Sequence, residues 1–139
     1  MIRRPPAWRR VGESTTMEFY VDDARPRVLF VWPRERACET GPTAVQTRAF
    51  IHRWFRERRG AVVVYLDRLV EIDREARRAH TQVYGETLVG AAYIGGTPLS
   101  RALMAFFLGL RPLHVPVRLF EASEDGLAWL DELLQEDEG

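Results

Sequence analysis

The run AVVVYL, Ala61 to Leu66, constrains this chain more than any other stretch. Its β-branched and aromatic residues favour an extended strand, and without apolar–polar alternation both faces must be covered. Such a strand belongs inside a parallel sheet, whose members are joined by crossovers that are usually helical. The residues that follow supply one. Asp67 ends the run, a short turn follows, and Asp73 stands as the cap of a helix whose Ile72, Ala76, Ala79 and Val83 form its inner stripe.

The alternation of strand and helix extends in both directions. MEFYVDD (17–23) and RVLFVWP (27–33) are β-rich runs separated by the turn-like DDARP, which predicts an antiparallel hairpin. Thr40 or Gly41 caps the next helix, with Pro42 in its first turn. Ala44, Ile51, Trp54 and Phe55 share one face of it, and Gly60 stops it. On that reading Arg56, Arg58 and Arg59 lie in the last turn, where the helix dipole favours positive charge. VGAAYIGG (89–96) predicts a strand of small residues, and Thr97 with Pro98 starts a third helix, LSRALMAFFLGL. VPVRLF (115–120) is the last strand, and Ser123 caps a final helix with Leu127, Leu130 and Leu134 inside.

The predicted order is β-β-α-β-α-β-α-β-α. This is an α/β fold, with a mixed, mostly parallel sheet and an antiparallel hairpin at its start. Residues 16–135 read as a single domain. Residues 1–15, with Arg3, Arg4, Arg9 and Arg10, read as a flexible basic lead-in, and residues 136–139 as an acidic tail.

Composition narrows the function classes. All 20 basic residues are Arg and are balanced by 20 acidic ones, so net charge gives no reason to expect nucleic acid or an anionic membrane as partner. Trp32, Trp54 and Trp129 fall at core positions rather than in a row with arginines, which also argues against single-strand binding. The single Cys38 excludes an internal disulfide and suits a reducing compartment. No stretch approaches the ~20 apolar residues of a membrane span, and MIRRPPAWRR lacks the apolar core of a signal peptide. The expectation is a cytoplasmic protein. His52, His80 and His114 are scattered, with no ligand spacing among them or to Cys38, so no metal, no cofactor and no enzyme activity are expected.

With this order on the page, the chain resembles the STAS domain, the SpoIIAA-like fold of anti-sigma-factor antagonists, over roughly residues 17–135. The resemblance rests on the opening hairpin, on VVVYLDRLVEIDREA with Asp67, Ile72 and Asp73, and on the ending VPVRLFEASEDGLAWL. It implies a small bacterial regulatory module that acts through protein–protein interaction in signal transduction. Where that family carries a phosphorylatable Ser or Thr at the helix start, Arg74 and Glu75 stand here, so switching by a Ser/Thr kinase at that position is not expected. The resemblance and the mixed charges point to Asp73, Arg74, Glu75, Arg77 and Arg78 as a partner-binding surface.

Three further readings attach to particular residues. Gly95, Gly96 and Thr97 leading into a helix start, with Arg101 one turn in, would suit a small anion or nucleotide phosphate, although the Gly-Lys-Ser/Thr signature is missing. Asp22, Asp23 and Asp67 can be laid onto the acidic pair and phosphoacceptor of a receiver domain, but Pro26 and the β-run Val28–Trp32 follow the pair directly, where a receiver has a helix. From Leu99 to Leu110 apolar residues occupy nearly the whole helix circumference. Met104, Phe107 and Leu108 are left facing sideways or outward, which predicts self-association as a homodimer.

Overall fold

In the computed structural model, residues 3–80, 87–98, 101–102 and 115–138 are described. The apolar segment carrying Met104, Phe107 and Leu108, together with Val83 and His114, lies outside them. Strands β1 (Arg9–Glu13), β2 (Met17–Val21), β3 (Val28–Pro33), β5 (Gly60–Tyr65), β7 (Leu88–Ile94) and β8 (Val117–Phe120) form a six-stranded sheet in the order β1-β2-β3-β5-β7-β8. The first two pairings are antiparallel and the remaining three are parallel. A separate parallel pair, β4 (Ala37–Glu39) with β6 (Leu69–Ile72), extends beyond the C-terminal ends of β3 and β5. Helices α1 (Gly41–Trp54), α2 (Arg74–His80) and α3 (Ser123–Glu138) complete the described elements, and Pro98, Arg101 and Ala102 are also helical.

The protein is therefore α/β with a mixed, mostly parallel sheet. All six residues of β5 are buried. Val62 and Val64 face Ile51 and Phe55 of α1, while Ala61, Val63 and Tyr65 face Leu130 and Leu134 of α3. One helix thus covers each face of the central strand. Helix α2 lies on the α1 side, where Ala76 and Ala79 pack on Ala44. Small residues at this contact let the two helices approach closely.

Local signals that act within a few residues behave as expected. Thr40 is the N-cap of α1 in a reciprocal capping box with Thr43, with Pro42 in the first turn. Asp73 caps α2, its carboxylate accepting from the Ala76 amide at 2.8 Å. Ser123 differs: its hydroxyl is 3.0 Å from the Tyr65 hydroxyl, and the Gly126 amide donates instead to the Ala122 carbonyl. Helix α1 also ends earlier than Gly60. Phe55 is its C-cap and fills the core, leaving Arg56, Arg58 and Arg59 beyond the last turn.

Both termini depart from the reading of flexible ends. Within 1–15, Arg9–Glu13 forms β1, paired to β2 with a bulge between Arg10 and Gly12. Just before it, the Trp8 ring stacks on Phe30 at 4.2 Å between centroids and meets Tyr20, Trp32 and Tyr65 at 5.8, 5.6 and 5.6 Å. It covers the apolar cluster on the face of the sheet that carries α3. Arginines of the lead-in are also engaged. Arg4 and Arg10 converge with Arg34 on the Glu18 carboxylate at 3.7, 3.4 and 3.6 Å. The acidic end is tied down in turn: α3 runs to Glu138, and Asp137 accepts from Arg59 at 2.6 Å and from Arg27 at 2.8 Å. Those two bonds, Arg59 first, hold the Asp137 carboxyl below its ordinary value.

Trp8 carries a measurable share of stability. Burial of a large aromatic is normally worth ~3–5 kcal/mol against Ala, and Trp8 is half-buried. Trp8→Ala is expected to cost about 2–3 kcal/mol in a denaturant midpoint shift at unchanged slope. An unchanged midpoint would return residues 3–13 to a loose lead-in.

Candidate functional site

The parallel strands β5, β7 and β8 end at one edge of the sheet, where irregular backbone gathers polar side chains. Asp67 follows β5, Gly95 and Gly96 follow β7, and Glu121 follows β8. With Pro98 and Arg101 they line a cleft of about 510 Å³. Gly95 and Gly96 have φ of 78° and 91°, the left-handed region that glycine alone enters without cost. A Cβ on Gly95 would also overlap the Asp67 carboxylate.

The residues foreseen as an anion cradle are together here, but their donors are engaged. The Gly96 amide donates to Asp67 Oδ1 at 3.1 Å, so a carboxylate of the chain itself sits against this turn. Arg101 donates to the carbonyls of Gly95 at 3.2 Å and Phe120 at 2.9 Å, tying the ends of β7 and β8 together. Its amide completes a helical bond to the Thr97 carbonyl at 2.9 Å. The cleft therefore presents Asp67 and Glu121 rather than a free guanidinium.

The acidic pair of a receiver is not assembled. Asp22 and Asp23 lie in the turn between β2 and β3, where Asp22 Oδ1 accepts from the Ala24 amide at 2.9 Å. That turn is at the N-terminal end of β3, whereas Asp67 follows the C-terminal end of β5, which runs parallel to β3. A six-residue strand separates the two edges by roughly 20 Å, too far for one divalent cation to bridge. Among the described residues, no group of three or more His, Cys, Asp or Glu is arranged to hold a metal ion. No described helix is long and apolar enough to cross a membrane.

The surface foreseen for a partner splits into an inner and an outer half. Asp73 is consumed as the cap of α2, and Arg77 is half-buried with its guanidinium on the Ile72 carbonyl at 2.6 Å. Arg74, Glu75 and Arg78 are exposed. Glu75 reaches across to the start of α1, so close to Gly41 that a Cβ there would overlap its carboxylate. Glu75 and Arg78 form one wall of a groove of about 470 Å³ whose other wall is Pro42, Val45 and Arg48 of α1. Val45 is 49% exposed, one of two large apolar side chains so open among the described residues, the other being Val70 on β6. Sequence reading found the α2 half of this groove and missed the α1 half. Val45 looks unremarkable by periodicity, because its exposure depends on where α2 packs.

A second residue missed by the sequence reading is Glu39. It is 1% exposed, at the end of β4 just before the α1 cap. Its carboxylate accepts from the hydroxyls of Thr16 at 2.7 Å and Thr47 at 3.3 Å, and its carbonyl accepts from the Asp73 amide at 3.0 Å. One side chain thus joins the β1–β2 turn to α1, while its backbone sets the start of α2. Both helices that wall the groove are referenced to this residue. Burying a carboxylate is costly unless it is hydrogen-bonded, and two hydroxyl donors offset that cost here.

Glu39→Ala leaves two buried hydroxyls without that acceptor, and the expected loss is about 2–3 kcal/mol of unfolding free energy. Glu39→Gln retains an acceptor oxygen and should lose less. Equal losses for the two variants would mean that the site requires the carboxylate with both of its acceptor oxygens, and that filling the space with one acceptor is not enough.

Comparison with known proteins adds one match. Residues 25–134 match the model of a domain of unknown function, DUF7793. No curated protein and no solved structure matches the chain. The match begins in the turn before β3 and ends within α3, so it takes in the parallel part of the sheet, the α1–α2 groove and Glu39. With most of its length inside that match, the chain belongs to the DUF7793 family.

Proposed function

We propose that this protein is a non-enzymatic, protein-binding regulatory module, and that its docking surface is the groove between α1 and α2. The observation that carries the reading is the exposed Val45 set in a groove flanked by Arg48, Arg78 and Glu75. An apolar contact framed by charges is the anatomy of a docking site, in which the apolar centre contributes affinity and the rim selects the partner. The foreseen residues Arg74, Glu75 and Arg78 belong to this surface, while Asp73 and Arg77 support it from within. A STAS-like layout is the finer form of the proposal. Its support is the strand order, antiparallel at the start and then parallel in sequence order, together with the sequence resemblance.

A photo-crosslinking residue placed at Val45 tests the docking reading in cells. Discrete protein adducts are expected, and they should fade when Arg78→Glu is added. A control at Ala24, exposed in the β2–β3 turn, should give none of them. Identical adducts at both positions, or none at position 45, would sink the proposal.

Anion binding at the strand-end cleft stands second, because Asp67 already occupies the Gly96 amide and Arg101 is held on carbonyls. Phosphate and nucleotides are expected to leave the melting temperature unchanged. Saturable stabilisation, which a ligand of the native state must produce, would put the cleft first.

A further inference from the structure

The net charge of zero conceals a separation of charge across the sheet. Helix α3 carries seven acidic residues and no basic one. Three of these, Asp131, Asp137 and Glu138, are paired with Arg25, Arg27 or Arg59. The other four, Glu124, Asp125, Glu132 and Glu136, are exposed and form no ion pair among the described residues. At 100° per residue they fall on one stripe of the helix, with exposed Ala128 and Gln135 between them. The opposite side of the sheet has the opposite sign. Residues 41–58 hold four Arg against Glu57, and α2 holds three Arg against Glu75. Arg48, Arg53, Arg56 and Arg74 form no ion pair among the described residues.

We infer that the α1–α2 groove takes the acidic outer stripe of α3 from a second copy of this chain. The inference rests on the docking reading above and names its occupant. Charge complementarity carries it: an acidic helix with small Ala128 at the centre of its outward face meets a groove with apolar Val45 between Arg48 and Arg78. The two surfaces lie on opposite faces of one sheet, so a copy that donates its α3 still has its own groove open. The contact is heterologous and repeats head to tail, building open chains or a closed ring rather than an isologous dimer. Exposed ion pairs contribute only ~0–1 kcal/mol each and are screened within ~10 Å at 0.1 M salt, so association is modest and salt-dependent.

Sedimentation of the full chain separates the possibilities. At about 20 mM salt the weight-average mass should rise with concentration, and at about 500 mM salt the dissociation constant should increase by roughly tenfold or more. Asp125→Arg/Glu132→Arg/Glu136→Arg leaves only Glu124 acidic and so reverses the sign of the stripe, and Arg48→Glu/Arg78→Glu reverses the groove, so each variant alone should stay monomeric at low salt. Mixed in equal amounts they should associate again, because every stripe then faces a groove of opposite charge. Recovery on mixing also shows that both variants are folded. A wild type that remains monomeric at low salt, a dimer indifferent to salt, or variants that do not recover on mixing would each overturn the inference. Adducts at Val45 containing another protein but no second copy would remove the self-contact and leave the docking reading standing.

Discussion

Everything in this fold follows from a strand that cannot touch water on either side. Each residue of β5 is buried, and a sheet with such a strand at its centre needs a layer on both faces. Helix α1 supplies one layer through Ile51 and Phe55, and α3 supplies the other through Leu130 and Leu134. Neither layer reaches the whole sheet. On the α3 side, β2 and β3 present Tyr20, Phe30 and Trp32, large aromatics beside the helix, and Trp8 is the side chain that closes over them. An N-terminal segment with a proline-rich, basic sequence becomes part of the core because the central strand leaves an aromatic face to cover.

What was legible in the sequence is what acts over a few residues. Thr40 with Pro42, and Asp73 with its helix, announce themselves locally because a cap and its amide are three positions apart. The period of apolar residues in α1 and the unbroken run of β5 are likewise local, so the order of the main strands and helices could be written down. What escaped depends on contacts across the chain. Glu39 meets Thr16 from 23 residues away, and as a lone acid before a helix cap it looks solvated. Arg27 reaches Asp137 across 110 residues, which turns an acidic tail into the last turn of a fixed helix. Short β4 and β6 carry three and four residues, too few for any periodicity to register. The candidate groove was half legible for the same reason: the charges of α2 are visible in sequence, but the exposure of Val45 is set by the packing of α2 on α1.

The strand-end cleft and the α1–α2 groove show how a similar residue inventory can be closed or left open. At the ends of β5, β7 and β8, opposite charges meet partners from the same chain. Asp67 takes the Gly96 amide, and Arg101 takes two carbonyls that a sheet edge would otherwise leave to water. The interactions fix three strand ends relative to one another, which is a structural use of polar groups. In the groove the polar groups stand around an apolar centre instead. Glu75 leans on the start of α1, where the helix dipole favours a carboxylate, while Val45 stays half open to solvent.

Electrostatics give that contrast a direction. A chain with equal numbers of acidic and basic residues could intersperse them, and on the β1–β3 side it does, with Arg4, Arg10 and Arg34 gathered on Glu18. Across the helices it does not. The acids concentrate on α3 and the arginines on and after α1 and on α2, on opposite sides of the same sheet. Helix stability does not require this arrangement: α3 has acids in its last turn and no basic residue to offset them, against the preference of its dipole. That unfavourable end is held by Arg27 and Arg59, which come from outside the helix. The exposed stripe has no arginine partner within the described residues; the dipole favours Glu124 and Asp125 in the first turn, but Glu132 and Glu136 lie beyond that turn, and the like charges repel one another. A surface of that kind raises the free energy of the isolated molecule slightly, and an oppositely charged surface brought against it recovers the difference. The groove on the far side of the sheet carries the charge that such a contact requires.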